Sequence, residues 1–419
     1  MTLRNTLHGH AVPEHPANVP WSSAGKDLRL AKIKAHSLTG RITQPLMATA
    51  FRNVKRNRGA AGIDKVSIGL YEKNLLQNLL SLMQRLKDRS FRPLPLRRVH
   101  IPKGDGKTRP LGIPAVGDRV AQEVLRLLLS PLFEPIFHDD SYGFRPARNC
   151  HMAVERVLEF HRQGHTHVLD ADIKGFFDNI PHPVIMAAVA AEVADGNILR
   201  IVEQFLTAGV MEEGVFQPTR VGTPQGGVIS PLLANIALNS LDWRLHGAGF
   251  RFVRYADDFV VLCQTEAQVK EAHVLVQEHL NRVGLALSAE KTKMTQFREG
   301  FAFLGFDISA RAVTMRSKSV EKFKTKIRDL TQRHHNLDHE VVTKVNRVVR
   351  GTANYFATAF SSVSDLFRGL DGWLRMRIRA MKFKRKSRSD NLRLQRKHLL
   401  NLGFLFLSEA RAPPTVGTL

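Results

Sequence analysis

Residues 251–263 read RFVRYADDFVVLC, and residues 168–177 read VLDADIKGFF. In the first stretch two apolar arms enclose an acidic centre, which predicts a β-hairpin with Tyr255-Ala256-Asp257-Asp258 at its turn. The second predicts an apolar strand that carries Asp170 and Asp172 toward its end. Adjacent carboxylates in an apolar strand are costly unless they find partners or water. Taken alone, the Asp257-Asp258 pair reads equally well as a solvated turn. Two strands that each deliver acidic residues to one place are what a two-metal site needs. Mg²⁺ prefers carboxylate oxygens and keeps positions for water and phosphate. Two such ions, ~3.5–4 Å apart, activate an attacking hydroxyl and stabilise a leaving oxygen. Asp170 and Asp172 point to the same face of a strand, so the residues alone leave either as the ligand.

Outward from this centre, Phe91 to Pro114 reads FRPLPLRRVHIPKGDGKTRPLGIP. Its prolines forbid a long helix, and GDGK suits a tight turn between short strands. Asp118–Phe133 is a helix candidate, followed by the loop SYGFRPARN. TPQGG, residues 223–227, is a glycine-rich turn that opens into the helical SPLLANIALNSLDWRL. GLALSAEKTKMTQF and FAFLGFDI, starting at residues 284 and 301, are further strand candidates. Lys26–Arg58 and Tyr71–Arg89 predict amphipathic helices, and the chain beyond about residue 311 reads helical and basic. Strands and helices mix in the middle while both flanks are helical, which predicts an α+β core with helical attachments.

Lys plus Arg number 62 against 38 Asp plus Glu, a formal charge of +24 in 419 residues. The balance is +15 over residues 1–110, −7 over 111–310 and +16 over 311–419. Two basic flanks around a mildly acidic middle point to a polyanionic partner. Cys150 and Cys263 are the only cysteines, which excludes a disulfide framework and a Cys-rich zinc site. The cluster His161, His165 and His167 lacks matching acidic or Cys partners and reads as a surface turn. No apolar run reaches the ~18 residues of a spanning helix, and the first residues lack the apolar core of a signal peptide. The expectation is a protein without a membrane partner, cytoplasmic and, in a bacterium, associated with nucleoid or ribonucleoprotein.

From about residue 28 to about 385 the chain closely resembles the reverse transcriptases encoded by bacterial group II introns, also called intron maturases. The ordered series DIKGFFDNI, TPQGGVISPLLANIALNSLD, RYADDF, LSAEKTK and FLGFDI carries the resemblance. It implies a right-hand polymerase fold, with fingers and a palm built on an antiparallel sheet. A helical, basic thumb or maturase segment follows. The division it implies is a loose leader over 1–25, a basic helical extension of the fingers over 26–90, and fingers and palm over 91–310. The thumb and maturase-specific segment then covers 311–380, and a short basic tail 381–419, without the HNH nuclease of the longest family members.

The resemblance also assigns residues. The family's catalytic metal ligands fall on Asp172, Asp257 and Asp258, because the DIKG string starts at Asp172. They imply two Mg²⁺ ions, for which Mn²⁺ can substitute. Phe177 matches the steric gate against a ribose 2′-hydroxyl. Lys103 and Arg109, with Arg97 as a third, match contacts to the incoming nucleotide's triphosphate, where cations can clamp phosphate charge. Gln225 and Gly226 match the turn beside that nucleotide. Leu304 and Gly305, after Phe303, match the hairpin that grips the primer end, with Lys291 and Lys293 nearby. Tyr142 and Arg145 fall in the YGFRP loop near the template. The implied partners are an RNA template, the parent intron RNA, a DNA primer or target, and deoxynucleoside triphosphates. The implied activity is RNA-directed DNA polymerisation with assistance to splicing and mobility by target-primed synthesis. Two rival expectations stand beside it: a maturase that acts mainly by binding RNA, and a domesticated relative serving DNA repair or phage defence.

Overall fold

The computed structural model describes residues 34–104, 107–223 and 226–410. The expected leader and residues 26–33 of the first expected helix lie outside the described residues. Helix α1 (Gln44–Asn57) starts much later than Lys26. The reason is local tethering: Ala35 bridges to Val193, and Thr39 donates its N–H and its hydroxyl to Asp195 at 2.7 and 2.9 Å. The second expected helix is divided at Asn74 into α2 (Ile68–Lys73) and α3 (Leu75–Lys87).

Strands β1 (Leu96–Gly104) and β2 (Lys107–Ile113) pair as the expected antiparallel hairpin; residues 105–106 between them lie outside the described residues. Helix α4 (Val116–Phe133) and helix α5 (Cys150–Arg162) follow. Next come β3 (His167–Asp172), the single turn α6 (Phe176–Asn179), α7 (His182–Glu192) and α8 (Gly196–Leu206). The short strands β4 (Val210–Glu212) and β5 (Val215–Gln217) complete a sheet of order β2-β1-β4-β5.

The palm is the second sheet. Helix α9 (Ser230–Gly247) leads into β6 (Arg251–Tyr255) and β7 (Asp258–Cys263), then α10 (Glu266–Arg282) and β8 (Lys293–Gln296). The order is β6-β7-β3-β8, antiparallel throughout. Both faces are covered. Leu169, Ala171, Phe252, Phe259 and Val261 face a core shared with α4, α7, α9 and α10, while Val168, Val253, Val260 and Leu262 face a second core with α5 and the thumb. A strand buried on both sides has no polar face to alternate with, so β7 reads as the continuous run FVVLC.

Strands β9 (Phe301–Phe303), β10 (Phe306–Ile308) and β11 (Val313–Met315) form a third sheet. The stretch beyond 311, expected as helical, thus begins with a strand. Helices α11 (Ser317–Leu330), α12 (His339–Phe356), α13 (Ser364–Lys382), α14 (Asp390–Arg393) and α15 (Arg396–Asn401) follow. Residues 390–410 do not trail from this bundle. Phe404, Phe406 and Leu407 are buried in the second core. Asn346 grips the strap by donating to the Gly403 carbonyl at 2.7 Å and accepting from the Leu405 N–H at 2.8 Å. Among the described residues no helix is long and apolar enough to cross a membrane.

Candidate active site

The hairpin turn between β6 and β7 consists of Ala256 and Asp257, because Tyr255 pairs with Asp258. Ala256 has φ +60° and Asp257 does not share that sign, as in a type II′ turn, where glycine would be the unstrained choice. The strain is held by neighbours. Arg254 has no solvent exposure; its guanidinium donates to both carboxylate oxygens of Asp242, to Asn235 Oδ1 at 2.9 Å and to the Ala256 carbonyl at 2.9 Å. From the other side Gly143 lies against the turn, where a Cβ would come within 2.4 Å of the Ala256 nitrogen. Asn235 Nδ2 in turn donates to the Gly143 carbonyl at 2.7 Å. The register β3–β7 sets Asp172 opposite Asp258, so one ladder position brings the two acidic strands together.

The electrostatics match that convergence. Crowding by protein, and then the charges of Asp170, Asp257 and Asp172, push the Asp258 carboxyl well above the carboxylate range, although one edge stays open to the cleft. Burial pushes Asp257 up as well, and Asp170 up to about 6. Lys291 Nζ sits on Asp172 at 3.0 and 3.2 Å from its two oxygens. The donor set therefore fits hard divalent cations in chemistry: oxygen ligands carrying mutually repelling charge on one wall. Among the described residues no three such side chains are drawn together tightly enough to enclose an ion by themselves. Water and phosphate oxygens would have to complete any shell.

A cleft of about 750 Å³ opens over the turn. It brings Asp172, Asp257 and Asp258 together with Arg109, Phe177, Lys291, Lys293, Leu304 and Gly305, nine of the residues singled out from the sequence. Phe177 is half-buried, packed edge-on against Phe176 at 5.4 Å, and its carbonyl accepts the Thr223 N–H at 2.7 Å. Leu304 and Gly305 form a two-residue turn with φ +49° and +85°, the type I′ pattern. Its carbonyls are held from the thumb: Tyr355 Oη donates to Leu304 at 2.8 Å, and the Arg316 N–H to Gly305 at 3.1 Å.

Other expected residues stand elsewhere. Arg97 does not line the cleft; its guanidinium donates to the Ala61 carbonyl at 2.8 and 3.1 Å and fixes the RGAAG loop. Tyr142 and Arg145 are each only 7% exposed, so neither presents its side chain to a template. Arg145 instead ties the loop through the His138 and Ser141 carbonyls and Glu134. Gly226 has a packing reason: a Cβ there would meet the Gly112 carbonyl at 2.4 Å, so the turn rests on β2. Gln225 and the side chain of Lys103 lie outside the described residues. The sequence reading missed Arg254, Asp242, Asn235 and Arg316. An arginine inside the apolar arm RFVRY was the available signal, since such a charge requires a buried partner.

A palm sheet that sends carboxylates from two adjacent strands into a cleft lined by cations is the arrangement that metal-assisted phosphoryl transfer requires, and the family match gives its class, a template-directed nucleotidyltransferase. Residues 101–308 match the family "Reverse transcriptase (RNA-dependent DNA polymerase)", and residues 320–400 match "Group II intron, maturase-specific domain". The chain belongs to the reverse transcriptases of the group II intron type. It is 34% identical to Protein YkfC of Escherichia coli K12, over 68% of this chain and 84% of that protein. It is 31% identical to Group II intron-encoded protein LtrA of Lactococcus lactis subsp. cremoris, over 65% of this chain. That match spans 57% of the relative's length. Among solved structures it is similar to the telomerase of Candida albicans in complex with a telomeric RNA fragment, at 14% identity and TM-score 0.43. That likeness covers 70% of this chain and 62% of that one.

Proposed function

We propose that the cleft over the Ala256-Asp257 turn joins deoxynucleotides to a DNA primer on an RNA template, and that the basic flanks hold the parent intron RNA. In this reading the chain also assists splicing and primes cDNA synthesis at a DNA target. The observation that supports it best is the pairing of Asp172 with Asp258 beside Asp257, on the wall of a cleft that also carries Arg109, Phe177 and the Leu304-Gly305 turn.

Asp172, Asp257 and Asp258 would hold two Mg²⁺ ions, which when bound supply charge neutralisation at the α-phosphate and acidify the primer 3′-hydroxyl. The bond formed joins the primer O3′ to the α-phosphorus; the bond broken releases pyrophosphate. Arg109 stands where it can meet the triphosphate, and its donors would balance charge on the leaving group. Phe177 would press on the sugar at C2′ and exclude a ribose by clash. The Leu304-Gly305 turn would seat the primer end, with Lys293 toward its backbone. Fingers over 26–90 and 91 onward and palm to 310 remain the division we assign, while the thumb, expected over 311–380, extends through the strap packed into its core.

The test is primer extension on poly(rA)–oligo(dT) with Mg²⁺ and dTTP. Wild type should synthesise, and Asp257→Ala should lose at least a thousandfold while still binding RNA and supporting splicing. No synthesis by folded wild-type protein would leave RNA binding as the main activity.

A further inference from the structure

Outside the cleft, the loop after α3 and one face of α8 bring three arginines together: Arg89 and Arg92 lie close enough to Arg200 for their charges to act on it. Asn197 on α8 ties the two elements: its Nδ2 donates to the Leu86 carbonyl at 2.8 Å, and its Oδ1 accepts from Arg200 Nη2 at 2.9 Å. Phe91 and Phe205 pack at 5.5 Å beneath this junction. Arg92 is drawn back over it by donating to the Phe91 and Arg89 carbonyls at 2.7 and 3.0 Å.

The cluster lacks counter-charge. No carboxylate pairs with Arg89, Arg92 or Arg200 among the described residues. The neighbouring Asp88 is spent on its own turn, accepting the Ser90 N–H and hydroxyl at 2.9 and 2.6 Å. Glu203, one turn along α8, makes no ion pair with Arg200. Buried Nε and Nη1 of Arg200 have no hydrogen-bond partner among the described residues. Unpaired buried guanidinium nitrogens beside two more cations are costly, and such groups call for an ion or an acceptor from outside. The planar guanidinium fork suits tetrahedral oxyanions, phosphate foremost.

We propose that Arg89, Arg92 and Arg200 form a binding site for a phosphate of a nucleic-acid backbone running outside the polymerase cleft. None of the three lines that cleft. Nucleic acid as the source of the phosphate rests on the reading of the chain as a polymerase on RNA, and on a net charge of +24. Arg89 and Arg92 are exposed and would contact first; Arg200 is half-buried and would donate from Nε and Nη1 to a phosphate oxygen.

The experiment uses the full chain and a closed RNA hairpin with no extendable end as the probe. Arg89→Gln/Arg92→Gln should weaken hairpin binding several-fold, and should lower the slope of log K against log[salt] by about 2. Arg200→Gln should do the same by about 1. The double variant changes only exposed side chains and keeps the test valid if Arg200→Gln fails to fold. Primer extension at saturating template–primer should stay at the wild-type rate in both, which separates this site from the polymerase reading. Unchanged hairpin affinity and slope would overturn the proposal, as would a matching loss of extension rate. Inorganic phosphate provides a second arm. If it raises the wild-type melting temperature but not the variant's, while hairpin binding is unaltered, the site takes free phosphate and not a nucleic-acid backbone.

Discussion

Arg254 shows how the position of Asp257 is held. A buried guanidinium joined to Asp242 spends its remaining donors on Asn235 and on the carbonyl of strained Ala256. Removing one partner leaves the other charge buried and uncompensated. Arg254→Met should therefore cost about 3–5 kcal/mol, read as a shifted denaturation midpoint. Extension should fall further than folding accounts for, because the turn loses its anchor. Asp118 gives a pH signature away from the site. It is 6% exposed, accepts the Leu94 N–H at 2.9 Å, and burial pushes its carboxyl up to about 7. A carboxyl raised in the folded state contributes fully below its ordinary value near 4 and loses that contribution as pH rises through 7. Asp118→Asn should keep the acceptor and flatten the stability profile between pH 4 and 7. At pH 8 it should gain on the order of 2–4 kcal/mol over wild type. The convergence of Asp172, Asp257 and Asp258 was legible because charge in an apolar strand demands a reason. Tyr142, Arg145 and Arg97 were not, because a motif fixes a loop without saying which side chain turns inward.

The Leu304-Gly305 turn belongs to two domains at once. Its strands β9 and β10 rise from the palm side, yet its carbonyls are held by Tyr355 of α12 and by the backbone just before α11. A shift of α12 would thus be passed by hydrogen bonds to this turn, and through it to the primer end that we propose it seats. Tyr355→Phe deletes the donor and leaves the Leu304 carbonyl short of a partner, a loss of about 1 kcal/mol. The KM for template–primer should rise roughly 5-fold while the KM for deoxynucleotide stays level. A rise in both would place the effect on the whole cleft and not on the turn. Hairpins were the most legible elements, since Tyr255-Ala256-Asp257-Asp258 and Phe303-Leu304-Gly305-Phe306 each set a two-residue turn between apolar arms. Helix starts were least legible. The apolar spacing from Lys26 continues through a segment that Ala35 and Thr39 hold in other conformations, and those contacts are more than 150 residues away in sequence. The strap at 403–407 escaped for a similar reason: FLFL is short, and Leu405 and Leu407 find their backbone partners in Asn346 and Asp371 on helices distant in sequence.

Charge organises the molecule around the acidic centre. The palm sheet joins two cores, and along the sequence basic flanks of +15 and +16 border a middle that carries −7. The acidic region would repel a polyanion unless cations intervene, so most of the affinity for nucleic acid should come from the flanks, through phosphates and without reading sequence, with single cations of the middle such as Arg200 and Lys293 adding to it. Binding and chemistry should then separate with ionic strength. Between about 50 and 200 mM salt, affinity for a template–primer duplex should fall by ~10³ or more if six or more phosphates are neutralised. The turnover rate at saturating duplex should change by less than about threefold, since the cleft's carboxylates, Arg109 and Lys291 act at short range, inside the screening length of ~10 Å. Equilibrium binding and single-turnover extension across one salt series measure both quantities on the same protein. A turnover rate that fell in step with affinity would mean that cations remote from the cleft also shape the reacting complex, and the chemistry would no longer rest on the cleft's own carboxylates, Arg109 and Lys291 alone.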